Sequence, residues 1–391
     1  MPGHRPYAPP VHGLISRVFR ELGHEVTILT TVLPDGSAGV LEEDHTTVHY
    51  LSGTTTGSGD SRFWQVSAQV FDRIHAERPF DLVFGRGVAT WGYHHYSRFS
   101  GKVPVIAHEG TYPLWLHQLE RRLPGQVSVL TPPLALLMLP SKRIYRTCLQ
   151  RADIVVCNSP ALARALRRVY WWHPPRTEFV PYGSNLAPWL AASAQPVPGG
   201  PPRIAFVGRV TWDKGALAMV DILAQMRHRD VVIEAIGPMS DKVRRVLECH
   251  AAARGVADRF LTPGSEKNTN LPQRLHGASA YLFPSTHPEG LSKSVMEAMA
   301  AGLPVVAYQI PGMDALVDSG VTGWLVPSRD TASAAARLDG LLDDPAAAAH
   351  MGQAARQRLE RDFSPGAVLA RWERLLTNVV GGLQPRHPEG G

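Results

Sequence analysis

The sequence predicts an α/β protein built as two doubly wound halves, and three observations carry that reading. Short apolar runs alternate with helical patterns along most of the chain, the signature of a parallel sheet with helices on both faces. At 391 residues the chain exceeds what one ordinary core organises, so two domains are expected. Residues 186–202, LAPWLAASAQPVPGGPP, have the composition of a linker, and a fresh apolar run, Arg203–Val207, follows at once.

The first half opens on a helix. From His12 to Gly23, apolar Leu14, Ile15, Val18, Phe19 and Leu22 recur at helical spacing and Gly23 ends the pattern. The run 23–30, GHEVTILT, then reads as a buried strand. A strand should precede the helix, but MPGHRPYAPP holds four prolines and cannot form one. Either translation starts upstream of Met1 or the domain is shortened. Further strands are expected at Thr47–Leu51, Asp81–Phe84, Val103–Ala107, Asp153–Cys157 and Thr177–Val180, with helices at Ser61–Ala76 and Ser159–Val169. Phe84-Gly85-Arg86-Gly87 reads as a tight turn after its strand, and His108-Glu109-Gly110 as a polar loop after the next. Residues 111–150 interleave an apolar run, 127–139, with basic residues. They read as a lobe touching a membrane or an apolar acceptor, or as a helical hairpin packed on the domain; the second is favoured.

In the second half the strand Arg203–Val207 runs into Gly208-Arg209-Val210-Thr211-Trp212-Asp213-Lys214-Gly215. Gly208 lets the chain turn close to a ligand, and Arg209 and Lys214 can reach one anion from the same loop. Each such charge-assisted hydrogen bond contributes about 1.5–3 kcal/mol. A helix is expected at Leu217–Met226, strands at Val231–Ile236 and Arg259–Thr262 with Pro263-Gly264-Ser265 after them, a helix at Ala332–Leu342, and a last helical region at Phe363–Val380.

Residues 278–307, ASAYLFPSTHPEGLSKSVMEAMAAGLPVVA, read as strand, loop, helix, strand. Good helix formers run from Ser294 to Ala301, Gly302 stops them and Pro304 lies just beyond. Glu289 and Glu297 are separated by seven residues. Eight steps at about 3.6 per turn miss registry, so the two acids do not share a helix face. Glu289 belongs in the loop and Glu297 one turn inside the helix. Gly290 and Ser292 let backbone N–H groups approach a ligand, and the helix N-terminus suits a phosphate.

The string HPEGLSKSVMEAMAAGLPVVA, with GMDALVDSGVTGWLVP at 312–327, resembles the Glu-x7-Glu segment of retaining glycosyltransferases of the GT-B fold, family four. That resemblance implies two Rossmann-like domains with a cleft between them, the first apparently lacking its first strand. It implies an acceptor domain at 1–187, a linker at 188–202, a donor domain at 203–362, a helix at 363–380 crossing back, and a disordered tail at 381–391. The expected reaction moves a hexose-type sugar from a nucleoside diphosphate sugar, UDP first and GDP next, to a hydroxyl acceptor. Natural-product and polysaccharide or glycolipid biosynthesis are the expected settings.

The same resemblance distributes the site. Arg209 and Lys214, after Gly208, match the diphosphate clamp. Glu297 would hold the ribose and Glu289 the sugar, with Gly290, Leu291 and Ser292 beside them and Gly264 lining the base. His108 matches a histidine that contacts the donor sugar, which makes Glu289, His108, Arg209 and Lys214 the catalytic set. In the family a Gly-rich loop precedes the first helix, so Gly13 is a weak acceptor-side candidate with Arg86 and Glu109; His12 reads equally as a surface histidine.

Composition narrows the partners. The chain is 44% apolar and 19% charged, with formal charge +6 and a pI near 9.3, and its charge forms no long block, which disfavours nucleic acid. Three cysteines show no metal or disulfide spacing. With no signal-peptide pattern at Met1–Pro10, a cytoplasmic protein is expected, with peripheral membrane contact left open and a monomer or homodimer. No Asp-x-Asp occurs, so no metal or other cofactor is expected beside the co-substrate. A nucleotide-sugar epimerase and a catalytically silent sugar-binding protein are the competing readings.

Overall fold

The computed structural model describes residues 10–43, 45–110, 140–181, 186–191 and 200–381, and of residues 10–15, 140–142 and 191 only the backbone. The second half is one parallel sheet. Its strands are β8 (Arg203–Val207), β9 (Val232–Ile236), β10 (Phe260–Gly264), β11 (Ala280–Phe283), β12 (Val305–Tyr308) and β13 (Gly323–Val326), in the spatial order β10-β9-β8-β11-β12-β13. Numbered within this half, that is 3-2-1-4-5-6, the doubly wound order, with its reversal point between β8 and β11. Helices cover both faces, so β8, β11 and β12 are buried through and read as continuous apolar runs.

The first half is in two pieces. β1 (Val26–Thr31) pairs parallel with β3 (Thr46–Leu51), and β2 (Gly39–Glu43) flanks β3 antiparallel. β4 (Val83–Arg86), β5 (Val105–Glu109), β6 (Ile154–Cys157) and β7 (Thr177–Phe179) form a separate parallel sheet in that order. Its helices start on capping side chains. Asp60 accepts from the Phe63 N–H at 3.0 Å to open Ser61–Glu77, and Ser159 from the Leu162 N–H at 3.2 Å to open Pro160–Val169.

Several boundaries differ from expectation. The first helix runs Pro10–Glu21, so Pro10, His12 and Gly13 form its opening turn and not a loop; proline suits the first helical position because its missing N–H is an orphan there anyway. β4 extends through Arg86 and β5 through Glu109, so Arg86, His108 and Glu109 are strand residues. Pairing with the neighbouring strands, Arg86 opposite His108 and His108 opposite Val156, carries both runs two residues past their apolar stretch. β10 likewise takes in Pro263 and Gly264, with a register shift after Leu261. Trp189, expected in the linker, lies in the helix Ala187–Ala191 and is buried in the second half's core. The last helical region is one helix, Pro365–Gly381, close to the expected 363–380, and a further helix, Pro345–Phe363, precedes it, the two broken at Ser364-Pro365. Of the stretch 111–150 only the helix Pro140–Arg151 falls within the described residues; the apolar run 127–139 and the tail 382–391 lie outside them.

The helix Pro365–Gly381 packs on the first half. Val368, Trp372, Leu375, Leu376 and Val379 join Phe19, Ile106, Ile154 and Val156 in one cluster. Trp372, 2% exposed, meets Phe19 and Phe84 edge-on at 5.8 and 6.0 Å and lies 6.5 Å from the His108 ring. The two faces of β5 thus part company. Ile106 and His108 point to this cluster, while Ala107 belongs to the opposite one with Leu149 and Cys157. On that opposite side Glu109, 5% exposed, has its carboxyl pushed up to about 7 by burial, against the Tyr145 hydrogen bond and the Arg86 charge.

Two outcomes follow. Trp372→Ala should cost the first half about 3–5 kcal/mol, read as a lowered denaturant midpoint by fluorescence of the remaining tryptophans; an unchanged midpoint would show that the helix does not clamp this half. Because the folded-state pKa of Glu109 stands near 7 against 4.5, folding binds a proton between those values. Stability should therefore fall as pH rises from 4.5 to 7 and level off above. Glu109→Gln should flatten that slope in urea titrations at several pH values, and a slope identical to the parent's would rule out Glu109 as its source.

Candidate functional site

The reversal point between β8 and β11 sends their following loops in opposite directions and opens a crevice at the strands' carboxyl ends. The loop after β8 begins at Gly208, whose N–H donates to the Ile236 carbonyl at 2.9 Å. Gly237 after β9 packs so closely on Gly208 that a Cβ there would strike its carbonyl, and Gly237 N–H donates to the Gly264 carbonyl at 2.8 Å. Three strand ends are thereby zipped into one floor, with Gly264 at its far side. Gly208 and Gly237 adopt φ of 150° and 151°, open only to glycine at low cost.

The loops after β8 and β11 lie against each other. The Asp213 carbonyl accepts from the Thr286 N–H at 2.8 Å and from the Ser285 hydroxyl at 3.3 Å. Gly215, at φ 84°, sits directly on the Pro284 carbonyl. The sequence reading did not single out Asp213 or Gly215; the adjacency of Lys214 to both was the only available signal. This contact delivers Lys214 Nζ to Glu289 Oε1 as an ion pair, with both side chains mostly buried, 15% and 17% exposed. Lys214 also sits 5.7 Å over the Phe283 ring. Arg209 is exposed at the mouth of the same loop.

Glu289 is held from behind. Its N–H donates to the Pro311 carbonyl at 3.0 Å, and Gly312, at φ 96°, packs on the carbonyls of Glu289 and Gly290. Leu291 is buried in the core and Ser292 caps the helix Lys293–Ala300 without a side-chain hydrogen bond to its backbone. The Ser292 side chain therefore leaves the first N–H groups of that helix to other acceptors, such as an anion. Glu297, 6% exposed, lies one turn in, 3.5 Å from Lys293 Nζ. Burial raises its carboxyl above the ordinary range, and Lys293 only partly offsets this.

The opposite wall comes from β4, β5 and β6. Gly110 lies between the Arg86 guanidinium and the His108 ring: a Cβ there would meet them at 3.3 and 3.5 Å. His108 is 1% exposed and lies against Phe84 and Trp372, so the structure sets it in an apolar shell and not on an open loop. Asn158, at the carboxyl end of β6, donates to the Gly110 carbonyl and abuts Gly290, where a Cβ would collide with its amide. Beside it, Arg164 pairs with Asp314 at 2.5 Å. Neither residue was expected from the sequence; Asn158 follows an apolar strand and precedes a capping serine, which marks a loop at a sheet's carboxyl end. His12 and Gly13 are described only as helical backbone. Among the described residues no group of three or more His, Cys, Asp or Glu is arranged to hold a metal ion, and no helix is long and apolar enough to cross a membrane.

Comparison with known proteins bears on both halves. Residues 191–358 match the family described as "Glycosyl transferases group 1", and residues 13–183 match "Glycosyl transferase 4-like domain". Glycogen synthase of Mycobacterium tuberculosis is 36% identical over 199 residues, 50% of this chain and 45% of that protein. The 2-deoxystreptamine glucosyltransferase of Streptomyces kanamyceticus is 33% identical over 183 residues, 45% of this chain and 46% of that protein. The chain thus spans about half the length of the curated relatives it matches. Among solved structures, sucrose-phosphate synthase of Thermosynechococcus elongatus superposes with a TM-score of 0.72 at 21% identity, over 95% of this chain and 93% of that one. HepE of Anabaena, solved with UDP-glucose, gives 0.61 at 16% identity, over 96% and 98%. Residues 191–358 thus belong to the group 1 glycosyltransferase family and residues 13–183 to the glycosyltransferase 4-like family, and the two Rossmann-like halves are those of the GT-B fold.

Proposed function

We propose that this chain transfers a hexose-type sugar from a nucleoside diphosphate sugar to a hydroxyl acceptor, with retention of anomeric configuration and without a metal ion. The observation that carries the reading is the Lys214–Glu289 pair beside the uncapped N-terminus of Lys293–Ala300. A cation, a carboxylate and a ring of backbone N–H groups converge there on one crevice. The curated 2-deoxystreptamine glucosyltransferase, and HepE with its UDP-glucose, support a nucleotide-sugar donor, UDP foremost.

In this reading the diphosphate enters between Lys214, Arg209 and the helix N-terminus, and Lys214 exchanges its Glu289 partner for phosphate oxygens. These groups stabilise charge that grows on the leaving diphosphate in the transition state. Glu297 accepts hydrogen bonds from the ribose hydroxyls. Glu289, freed from Lys214 and still fixed by Pro311 and Gly312, accepts from sugar hydroxyls. The acceptor hydroxyl attacks from the face the diphosphate leaves, and the leaving phosphate takes its proton. Asn158 and Gly110 form the facing wall. His108 reaches the sugar only if the Gly110 turn shifts, so a positioning role through that turn suits it better than direct contact. Residues before 188 would carry the acceptor and residues 203–362 the donor. The acceptor's setting, natural-product or polysaccharide and glycolipid synthesis, rests on the relatives' names alone.

Lys214→Ala should lower kcat/KM about 10²–10³-fold with an unchanged circular dichroism spectrum; full activity in the folded variant would sink the diphosphate assignment. Glu297→Gln should weaken donor binding roughly ten- to a hundredfold, read by calorimetry with UDP. In the parent, affinity should decline as pH falls through the raised range of Glu297, because the protonated acid loses its acceptor character. Equal affinity in parent and variant at every pH would remove Glu297 from the nucleotide site.

A further inference from the structure

The end of the first half that faces away from the crevice carries a surface that the proposed reaction does not use. β4 to β7 run parallel, so the chain enters each strand at the end opposite the Gly110 and Asn158 wall. The segments that lead into β5, β6 and β7 therefore emerge side by side. They are also fastened to one another. The Arg151 guanidinium donates to the His94 carbonyl at 3.1 Å, and the Gln150 amide donates to the His173 carbonyl at 3.1 Å. The Asp153 carboxylate accepts from the Val105 N–H at 2.8 Å. Three segments thus make one continuous surface.

Large aromatic rings are exposed on it. Trp171 is 51% exposed, Trp172 39%, and Tyr96, the last residue of the helix Trp91–Tyr96, 39%. Two adjacent tryptophans left in water are an apolar surface that calls for a partner. Their indoles stand at 89° with centroids 6.1 Å apart, and Trp172 leans edge-on against the buried Tyr170 at 5.9 Å. Perpendicular indoles share no flat face on which a sugar ring or a base could stack. They suit insertion among lipid headgroups, where a ring with an apolar body and a polar N–H is at home.

The charge around these rings is one-sided. The segments 97–104, 151–153 and 170–176 hold Arg98, Lys102, Arg151 and Arg176, and their one acid, Asp153, is turned onto the Val105 N–H. Between Ser159 and Thr177 stand Arg164, Arg167, Arg168 and Arg176, and no Asp or Glu. Arg98, Lys102, Arg168 and Arg176 are exposed. Other acids of this end stand apart or are outnumbered: Glu77 and Asp81 lead into β4 at the far edge of the sheet, and Glu178 lies beside Arg167 and Arg176. Cations set around exposed indoles complement an anionic layer with an apolar layer beneath it, which is the make-up of a bilayer containing acidic lipids. A soluble polyanion would satisfy the cations and leave the indoles in water.

We propose that this end of the first half docks on an anionic lipid bilayer, with Trp171, Trp172 and Tyr96 entering the headgroup boundary and Arg98, Lys102 and Arg176 facing lipid phosphates. The strands β4 to β7 then stand on the membrane by their amino ends. The crevice at their carboxyl ends opens to the aqueous side, where a water-soluble ligand reaches it without crossing the bilayer. This inference does not depend on the proposed reaction.

The test sediments the full chain with vesicles of phosphatidylcholine alone and of phosphatidylcholine with about one-third phosphatidylglycerol. The parent should bind the acidic vesicles about tenfold or more tighter than the neutral ones, and lose most of that binding as salt rises from about 0.1 to 1 M. Lipids brominated near the headgroup should quench its tryptophan fluorescence. The double variant Trp171→Ala, Trp172→Ala should lose that quenching and bind about tenfold more weakly. The double variant Arg98→Glu, Arg176→Glu should weaken binding to acidic vesicles by about tenfold or more and leave binding to neutral ones unchanged. Both sets lie on exposed positions, and an unchanged circular dichroism spectrum shows that each variant is folded. A parent that ignores acidic vesicles, or variants that bind them as the parent does, would overturn the proposal. So would a patch that captures only soluble heparin, or only a second copy of this chain, with no vesicle bound.

Discussion

Everything at the candidate site depends on the reversal between β8 and β11. Two adjacent parallel strands whose connections leave in opposite directions open a gap at their carboxyl ends, and the loops that follow them line it. Here those loops are locked together through the Asp213 carbonyl and the Gly215–Pro284 contact. Lys214 and Glu289, 75 residues apart, consequently meet with both charges largely out of water. Removing either partner would leave the other poorly solvated, so the pair is held as a unit until a ligand replaces one side of it. A diphosphate does this for Lys214 at little cost, because one anion takes the place of another.

The second constraint is the closeness of the two halves. Asn158 rests against Gly290 and Arg164 against Asp314, while the last helix returns from the second half to bury Trp372 in the first. The exposed Arg164–Asp314 pair contributes little by itself. The Trp372 cluster is the durable tie, and it lies behind His108, on the far side of β5 from Glu109. A movement of the last helix would therefore be felt at the Gly110 turn, which touches both the His108 ring and the Arg86 guanidinium.

The second half was largely legible in the sequence. Most of its strands are apolar runs, the two cations share the loop after β8, and the two acids lie in the loop and helix that follow β11. Boundaries slipped where pairing outlasts the apolar pattern: Arg86, His108 and Glu109 are polar residues in strands, because a neighbour offers them ladder hydrogen bonds. A supposed linker residue, Trp189, became core for another reason: it sits in the short helix Ala187–Ala191, packed into the second half's core. Asn158 and Gly312 stayed hidden because each matters through backbone it touches across a long sequence separation, and no local spacing records that.

The sequence by itself determined the class of fold, the number of halves and the chemistry of the donor-side loops, since apolar periodicity, glycine position and proline content act locally. Only the tertiary structure decided which charges pair and which histidine is enclosed. Those are outcomes of packing: the crevice exists because two loops diverge from adjacent strands, and Lys214 finds Glu289 because Gly215 sits on Pro284.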